Sequence, residues 1–146
     1  MPGVLPGPGG GRLLSVTYVS LADPLIGAAD IDAILASARR NNERDALTGA
    51  LAYNGYNFLQ LLEGPDAKVE ACLAIIRGDP RHSGMAEVRR RAVVSRDFGD
   101  WAVLYDARFE RQRHSLMRLA ANGRIDAEDE RMFANFIALG RGQGAG

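Results

Sequence analysis

Three uncharged polar residues stand where the surrounding pattern asks for apolar ones. Gln60 interrupts the run Phe58-Leu59-Gln60-Leu61-Leu62, whose apolarity predicts a strand buried on both faces. The amide would share a face with Phe58 and Leu62 and point inward, which is costly unless its donors and acceptor are met. Tyr18 shares a strand face with Leu14 and Val16, and a buried hydroxyl wants a partner. Asn42 follows Ile31, Leu35 and Ala38 at steps of four, three and four, so it extends the buried stripe of a helix. A phenol and two amides converging under one helix could ring a planar heterocycle that carries both carbonyls and ring nitrogens. Each also has an ordinary explanation when taken singly. Tyr18 reads as a core tyrosine with its hydroxyl at the rim, Asn41 and Asn42 as helix C-terminal residues, and Gln60 as an amide bonded to backbone. Periodicity alone supports an α+β domain with a polar pocket.

The elements that must position these residues follow from the pattern. A strand is expected from Leu13 to Ser20, rich in β-branched and aromatic residues. A helix over 29–41 carries Ile31, Ile34, Leu35 and Ala38 at helical spacing. Strands over 47–53 and 57–62 flank Asn54-Gly55, a hairpin turn pair. Glu63-Gly64-Pro65 reads as the stop of the second strand, with Glu63 a turn residue. The next helix, 66–77, buries Val69, Cys72, Leu73 and Ile76 and ends before Asp79-Pro80. Strands over 87–95 and 101–105 complete a β-α-β-β-α-β-β order, whose first six elements match the ferredoxin-like arrangement with both helices on one face. Two helices are expected beyond it, over 108–121 and 126–139. The second has Asp126 as N-cap and Met132, Phe133, Phe136 and Ile137 on one side.

Composition bounds the function. The 18 basic and 18 acidic residues cancel, which argues against a binder that relies on neutralising phosphates. The single cysteine, Cys72, excludes an internal disulfide and a cysteine-cluster metal site. His82 and His114 are too few and too far apart in sequence for a metal site. Arg89-Arg90-Arg91 has no interleaved aromatics and reads as an exposed strand face rather than a nucleic-acid patch. No run is apolar enough to span a bilayer, and no secretory signal opens the chain, so no membrane association and a cytoplasmic location are expected.

Several blocks then fall into a known order. Tyr18-Val19-Ser20, Ser37-Ala38-Arg39-Arg40-Asn41-Asn42, Leu47-Thr48-Gly49, Phe58-Leu59-Gln60-Leu61-Leu62-Glu63-Gly64, Asp79-Pro80-Arg81-His82 and Phe98-Gly99-Asp100-Trp101 together resemble the BLUF domain, from about Leu13 to Tyr105. The resemblance implies FAD held between the two helices with the isoalloxazine buried. It assigns Tyr18 as the electron and proton donor to the excited flavin. Gln60 would bridge Tyr18 and the flavin N5 and C4 carbonyl, and its amide would rearrange after excitation. Asn42, assisted by Asn41, would hold the pyrimidine side, and Ile34 and Ile76 would pack the ring faces. Asp79, Arg81 and His82 match the family's downstream block and are expected at the cofactor. Trp101 is expected to modulate. Val103 stands where the family usually has methionine, so signal relay and dark recovery are the properties this departure touches. FMN or riboflavin in place of FAD stays open, because the contacts that can be placed surround the ring.

The domain plan is then a flexible tail over 1–11, a flavin-binding domain over 12–106, a helical extension over 107–140 and a flexible tail over 141–146. The resemblance is to the short type of the family, without an output domain, in which the tail covers the sheet's other face. Leftover apolar surface would favour a homo-oligomer, a dimer or larger ring, with output passing to a separate signalling protein and no substrate turned over. Two rivals are a light-independent interaction module on the same fold and an acylphosphatase-like hydrolase. The second would want a phosphate cradle after the first strand, where Leu21-Ala-Asp-Pro-Leu-Ile-Gly27 offers no arginine.

Overall fold

The computed structural model describes residues 12–22, 27–80, 82–107, 111–112 and 116–144. The order is β1 (Leu13–Ala22), α1 (Ala28–Arg44), β2 (Thr48–Tyr53), β3 (Asn57–Pro65), α2 (Asp66–Arg77), β4 (His82–Val93), β5 (Trp101–Asp106), the two-residue β6 (Arg111–Gln112) and α3 (Ala127–Gly144). The sheet runs β4-β1-β3-β2-β5-β6. β1 is antiparallel to both neighbours, β2 is antiparallel to β3, and β5 joins parallel to β2. The first four strands thus form the expected ferredoxin-like order within an α+β domain, widened by β5.

Strand alternation divides the core into two layers. On one face, Val16, Tyr18, Leu51, Phe58, Leu62, Trp101 and Val103 pack beneath α1 and α2, which contribute Ile31, Ile34, Leu35, Val69, Cys72 and Leu73. On the other face, Ala50, Ala52, Leu59, Leu61, Ala102 and Leu104 meet Phe133, Phe136 and Ile137 of α3. Those three positions, with the buried Asp129, recur at helical spacing. Asp126 caps α3 as the pattern suggests, its Oδ2 accepting the Glu128 and Asp129 N–H groups at 3.1 and 3.2 Å. The β2–β3 hairpin turns where expected, the Asn54 side chain accepting the N–H groups of Tyr56 and Asn57. Gly49 is required where β2 meets β3: its φ is +144°, and a Cβ there would lie 1.9 Å from the Leu61 carbonyl oxygen.

Four expectations need correction. β3 runs through Glu63 and Gly64 to Pro65; Glu63 is fully buried rather than a turn residue, because its carboxylate has partners waiting on the far face. β4 begins at His82 and ends at Val93, and its early part pairs with β1 as an edge strand despite lacking apolar alternation. The expected helix over 108–121 is absent from its described part, which holds β6, a 3-10 turn over Leu116–Leu119 and a bridge between Ala120 and Phe98. Backbone pairing with the β4–β5 loop won over helical spacing there. The C-terminal tail expected over 141–146 is helical as far as Gly144. The N-terminal tail over 1–11 lies outside the described residues.

Candidate functional site

The site is built across one transverse row of the sheet. Register pairs Tyr18 of β1 with Gln60 of β3, Gln60 with Leu51 of β2, and Leu51 with Val103 of β5. Side chains directly opposite on neighbouring strands point to the same face, so the row faces α1 and α2 as one line. Tyr18 and Gln60 are 1% and 2% exposed. The phenol donates a hydrogen bond to Gln60 Oε1. Burial, reinforced by the neighbouring Cys72 and Asp79, holds the Tyr18 phenol far above the ordinary tyrosine range, so it keeps its proton across the working pH range.

Above the row, α1 and α2 leave a cleft lined by Tyr18, Gln60, Leu51, Ile34, Asn41 and Asn42, with an empty volume of about 750 Å³ counted to its open mouth. Asn42 sits in the last turn of α1, where its carbonyl accepts the Leu47 N–H at 2.8 Å and fixes the return into β2. Its side chain is buried, Oδ1 lies 3.9 Å from the Cys72 Sγ, and Nδ2 has no protein partner. A buried amide donor left unmet costs about 1–3 kcal/mol. The cleft therefore offers a phenol, an amide bonded to it and a second amide with a free donor, on apolar walls formed by Ile34 and Ile76. This donor set fits the edge of a flavin ring, whose carbonyls and nitrogens would meet both amides.

The remaining expected residues divide. Asn41 and Asp79 line the cleft. Trp101 and Val103 are buried in the same layer without lining it; the Trp101 Nε1 has no partner, and the Arg39 guanidinium stands 5.7 Å from its ring centroid. Arg81 lies outside the described residues. His82 opens β4 opposite Ala22, and its side chain lies outside the description. Seven lining residues were not singled out as site residues from the sequence: Ser37, Ala38, Arg44, Asp45, Leu51, Cys72 and Ile75. Helical steps of three and four from Ile34 reach 37, 38, 41 and 45, and from Ile76 reach 72 and 79, so those periods could have found most of them. Burial pushes the Cys72 thiol up to about 11, with the Asp45 charge adding to it, so it stays protonated.

Two features lie away from the cleft. Arg89 and Arg91 are not a solvated face: Arg89 pairs with Asp126, Glu128 and Asp129, and Arg91 with Asp97 and Asp129. Arg90, on the other face, pairs with Glu70 and Glu87. The Arg89 pairs and the Arg91–Asp129 pair join β4 to the start of α3. Among the described residues, no group of His, Cys, Asp and Glu could hold a metal ion, and no helix is long and apolar enough to cross a membrane.

The family described as sensors of blue light using FAD matches residues 13–104. The beta subunit of a photoactivated adenylate cyclase from Euglena longa is 36% identical over 97 residues, covering 65% of this chain and 11% of the relative. The blue light- and temperature-regulated antirepressor of Escherichia coli K12 is 33% identical over 94 residues, 64% of this chain and 23% of the relative. The chain thus spans between about a tenth and a quarter of the length of these two relatives. Among solved structures, Klebsiella pneumoniae BlrP1, in a complex with calcium and cyclic diGMP, superposes with a TM-score of 0.73 at 29% identity, over 86% of this chain and 34% of that one.

Proposed function

The chain belongs to the BLUF family, the sensors of blue light using FAD, and from that premise we propose that it converts light into a new hydrogen-bond pattern at Tyr18 and Gln60. The observation that carries this reading is the buried phenol-to-amide bond on the floor of a cleft whose wall holds the unmet Asn42 donor. Bound flavin supplies an oxidant once it has absorbed blue light. Tyr18 is the residue placed to give up an electron and its hydroxyl proton. Gln60 receives that proton's hydrogen bond in the dark, and its amide is the side chain that can exchange a donor for an acceptor by turning over. Asn42 and Asn41 would hold the polar edge of the ring, with Ile34 and Ile76 as its apolar walls. Asp79, which lines the cleft, would serve the cofactor's outer end, and the same role is proposed for Arg81 and His82 from the sequence block they share with it. FAD is the form favoured, as the family's description names it.

Relatives carry names of a cyclase subunit and an antirepressor, which supports an output read by an effector; here we assign that role to a separate protein acting on a homo-oligomer in the cytoplasm. The residues divide into a photosensory unit over 12–106 and a cap beyond it.

The test is an absorption spectrum before and after blue light, followed through dark recovery, on the parent chain and on Tyr18→Phe. The parent should show a flavin spectrum that moves slightly to the red and relaxes. Tyr18→Phe should keep the bound flavin and lose the shift. Bound flavin that never shifts in the parent would favour a light-independent module, and a shift that persists in the variant would remove Tyr18 from the photochemistry.

A further inference from the structure

We propose that Glu63 is a positioning residue that couples the photoactive strand to the cap on the opposite face of the sheet, so that a rearrangement at Gln60 is felt at residues 97–99 and 119–121. Glu63 stands three residues beyond Gln60 on β3 and on the other face. It is fully buried. Its Oε2 accepts the Asp97 N–H at 2.8 Å, and its Oε1 accepts the Phe98 N–H at 2.9 Å and faces the Thr48 hydroxyl at 3.2 Å. Arg96 closes the group, donating to the Glu63 carbonyl at 3.1 Å and to Thr48 Oγ1 at 3.0 Å.

The loop held by that carboxylate holds the cap in turn. Phe98 bridges to Ala120, the Gly99 N–H donates to the Leu119 carbonyl at 2.8 Å, and the Ala121 N–H donates to the Asp97 carbonyl at 2.7 Å. The Asp97 carboxylate accepts from Arg91 at 3.1 Å, and the same guanidinium reaches Asp129 of α3 at 3.3 Å. From Gln60 the path is one strand, one carboxylate, two backbone amides and one arginine. Packing alone does not call for a carboxylate here, because an apolar side chain would fill the space without the cost of a buried charge. What the carboxylate adds is direction. Charge-assisted bonds to two successive N–H groups fix the loop against β3 more tightly than contact would. A change in the Gln60 amide alters the bond between β3 and β1, and the strand's displacement is transmitted by Glu63 because both its oxygens are engaged.

This inference rests on the light-driven change at Gln60, so the experiment reads both. Amide hydrogen exchange is measured on the full flavin-bound chain in the dark and under continuous blue light, with the absorption shift recorded on the same samples. In the parent, light should change exchange at 97–99 and 119–121. In Glu63→Gln, which keeps the side chain's shape but turns one acceptor into a donor, the red shift should persist while the light-minus-dark difference at those amides disappears. A purely structural role would alter dark and light exchange alike and leave the difference in place. A parent that shifts without any exchange difference there, or a Glu63→Gln chain that retains the parental difference, overturns the coupling. A parent that does not shift overturns the light reading as well. If Glu63→Gln does not fold, Thr48→Val takes its place: a reduced difference supports the coupling and a parental one refutes it.

Discussion

The two faces of one sheet are built on opposite electrostatic plans. Beneath α1 and α2 the buried polar groups include a phenol, two amides and a thiol, all neutral, with Asn42 Nδ2 and Trp101 Nε1 unmet by protein and the charges of Arg44, Asp45 and Asp79 kept to the less buried part of the cleft wall. Beneath α3 they are ionic and mutually engaged: Glu63 with its loop amides, and Arg89 and Arg91 with Asp97, Asp126 and Asp129. Thr17 Oγ1 and Arg91 Nε are the unmet buried atoms on that side among the described residues. Neutral groups can trade donor for acceptor at small cost in a low-dielectric site, whereas a buried charge whose partner leaves costs several kcal/mol. The first face is suited to switching and the second to holding position. The sheet between them lets one molecule do both.

The comparison can be broken most severely from the holding side. Phe133→Ala removes a side chain that is 1% exposed at the centre of the α3 layer, and large-to-small changes of this kind cost about 3–5 kcal/mol. Denaturant unfolding should register that loss, while the size of the light-induced shift in the folded fraction stays as in the parent. A lost shift would show that the faces are not separable in this way. A sharper probe acts at the end of the row that holds Tyr18 and Gln60. Val103→Met places a weak sulfur acceptor beyond Leu51, on the line that ends at Gln60. The shift should remain and dark recovery should change by roughly three- to tenfold, equivalent to about 1 kcal/mol in barrier. An unchanged recovery rate would remove Val103 from the relay.

The smallest effect concerns charge alone. The hydrogen bond from Arg89 holds the Asp126 carboxyl below its ordinary value of 3.8. A depressed carboxyl adds stability that is present above the unfolded value and lost as pH falls through the folded one. Asp126→Asn keeps a capping side chain but not the charge, so it should lower stability at pH 7 by up to about 1 kcal/mol. Melting curves taken down to pH 2 should show that deficit closing below about pH 4. A deficit independent of pH would mean that shape, and not charge, holds this end of α3.

The switching face was far more legible in the amino-acid sequence than the holding face, and the reasons are physical. Gln60 announces itself because an amide in Phe58-Leu59-Gln60-Leu61-Leu62 contradicts its neighbours, and Asn42 because it sits on a helical period. The limits of α2 were readable to the residue from Asp66 at one end and Asp79-Pro80 at the other. Glu63 was not, since Glu-Gly-Pro carries every local sign of a turn and its partners at 97 and 98 are more than thirty residues away. The start of β4 escaped for a related reason: it joins β1 as an edge strand through backbone pairing, and its residues show no apolar alternation. The segment over 108–121 misled through its leucines, whose spacing suits a helix, while Ala120 pairs with Phe98 through backbone alone. Side chains advertise themselves in sequence; backbone pairings do not.

Cys72 carries a last consequence. It is the chain's single thiol, and it forms part of the cleft wall beside Asn42. A maleimide or iodoacetamide reagent therefore meets this protein at one atom, and that atom lies where the cofactor would shield it. The buried, protonated state of the thiol makes the reaction slow at neutral pH and faster in alkali. Slower labelling of Cys72 in the presence of flavin would report occupancy of the cleft by mass, with no engineered label.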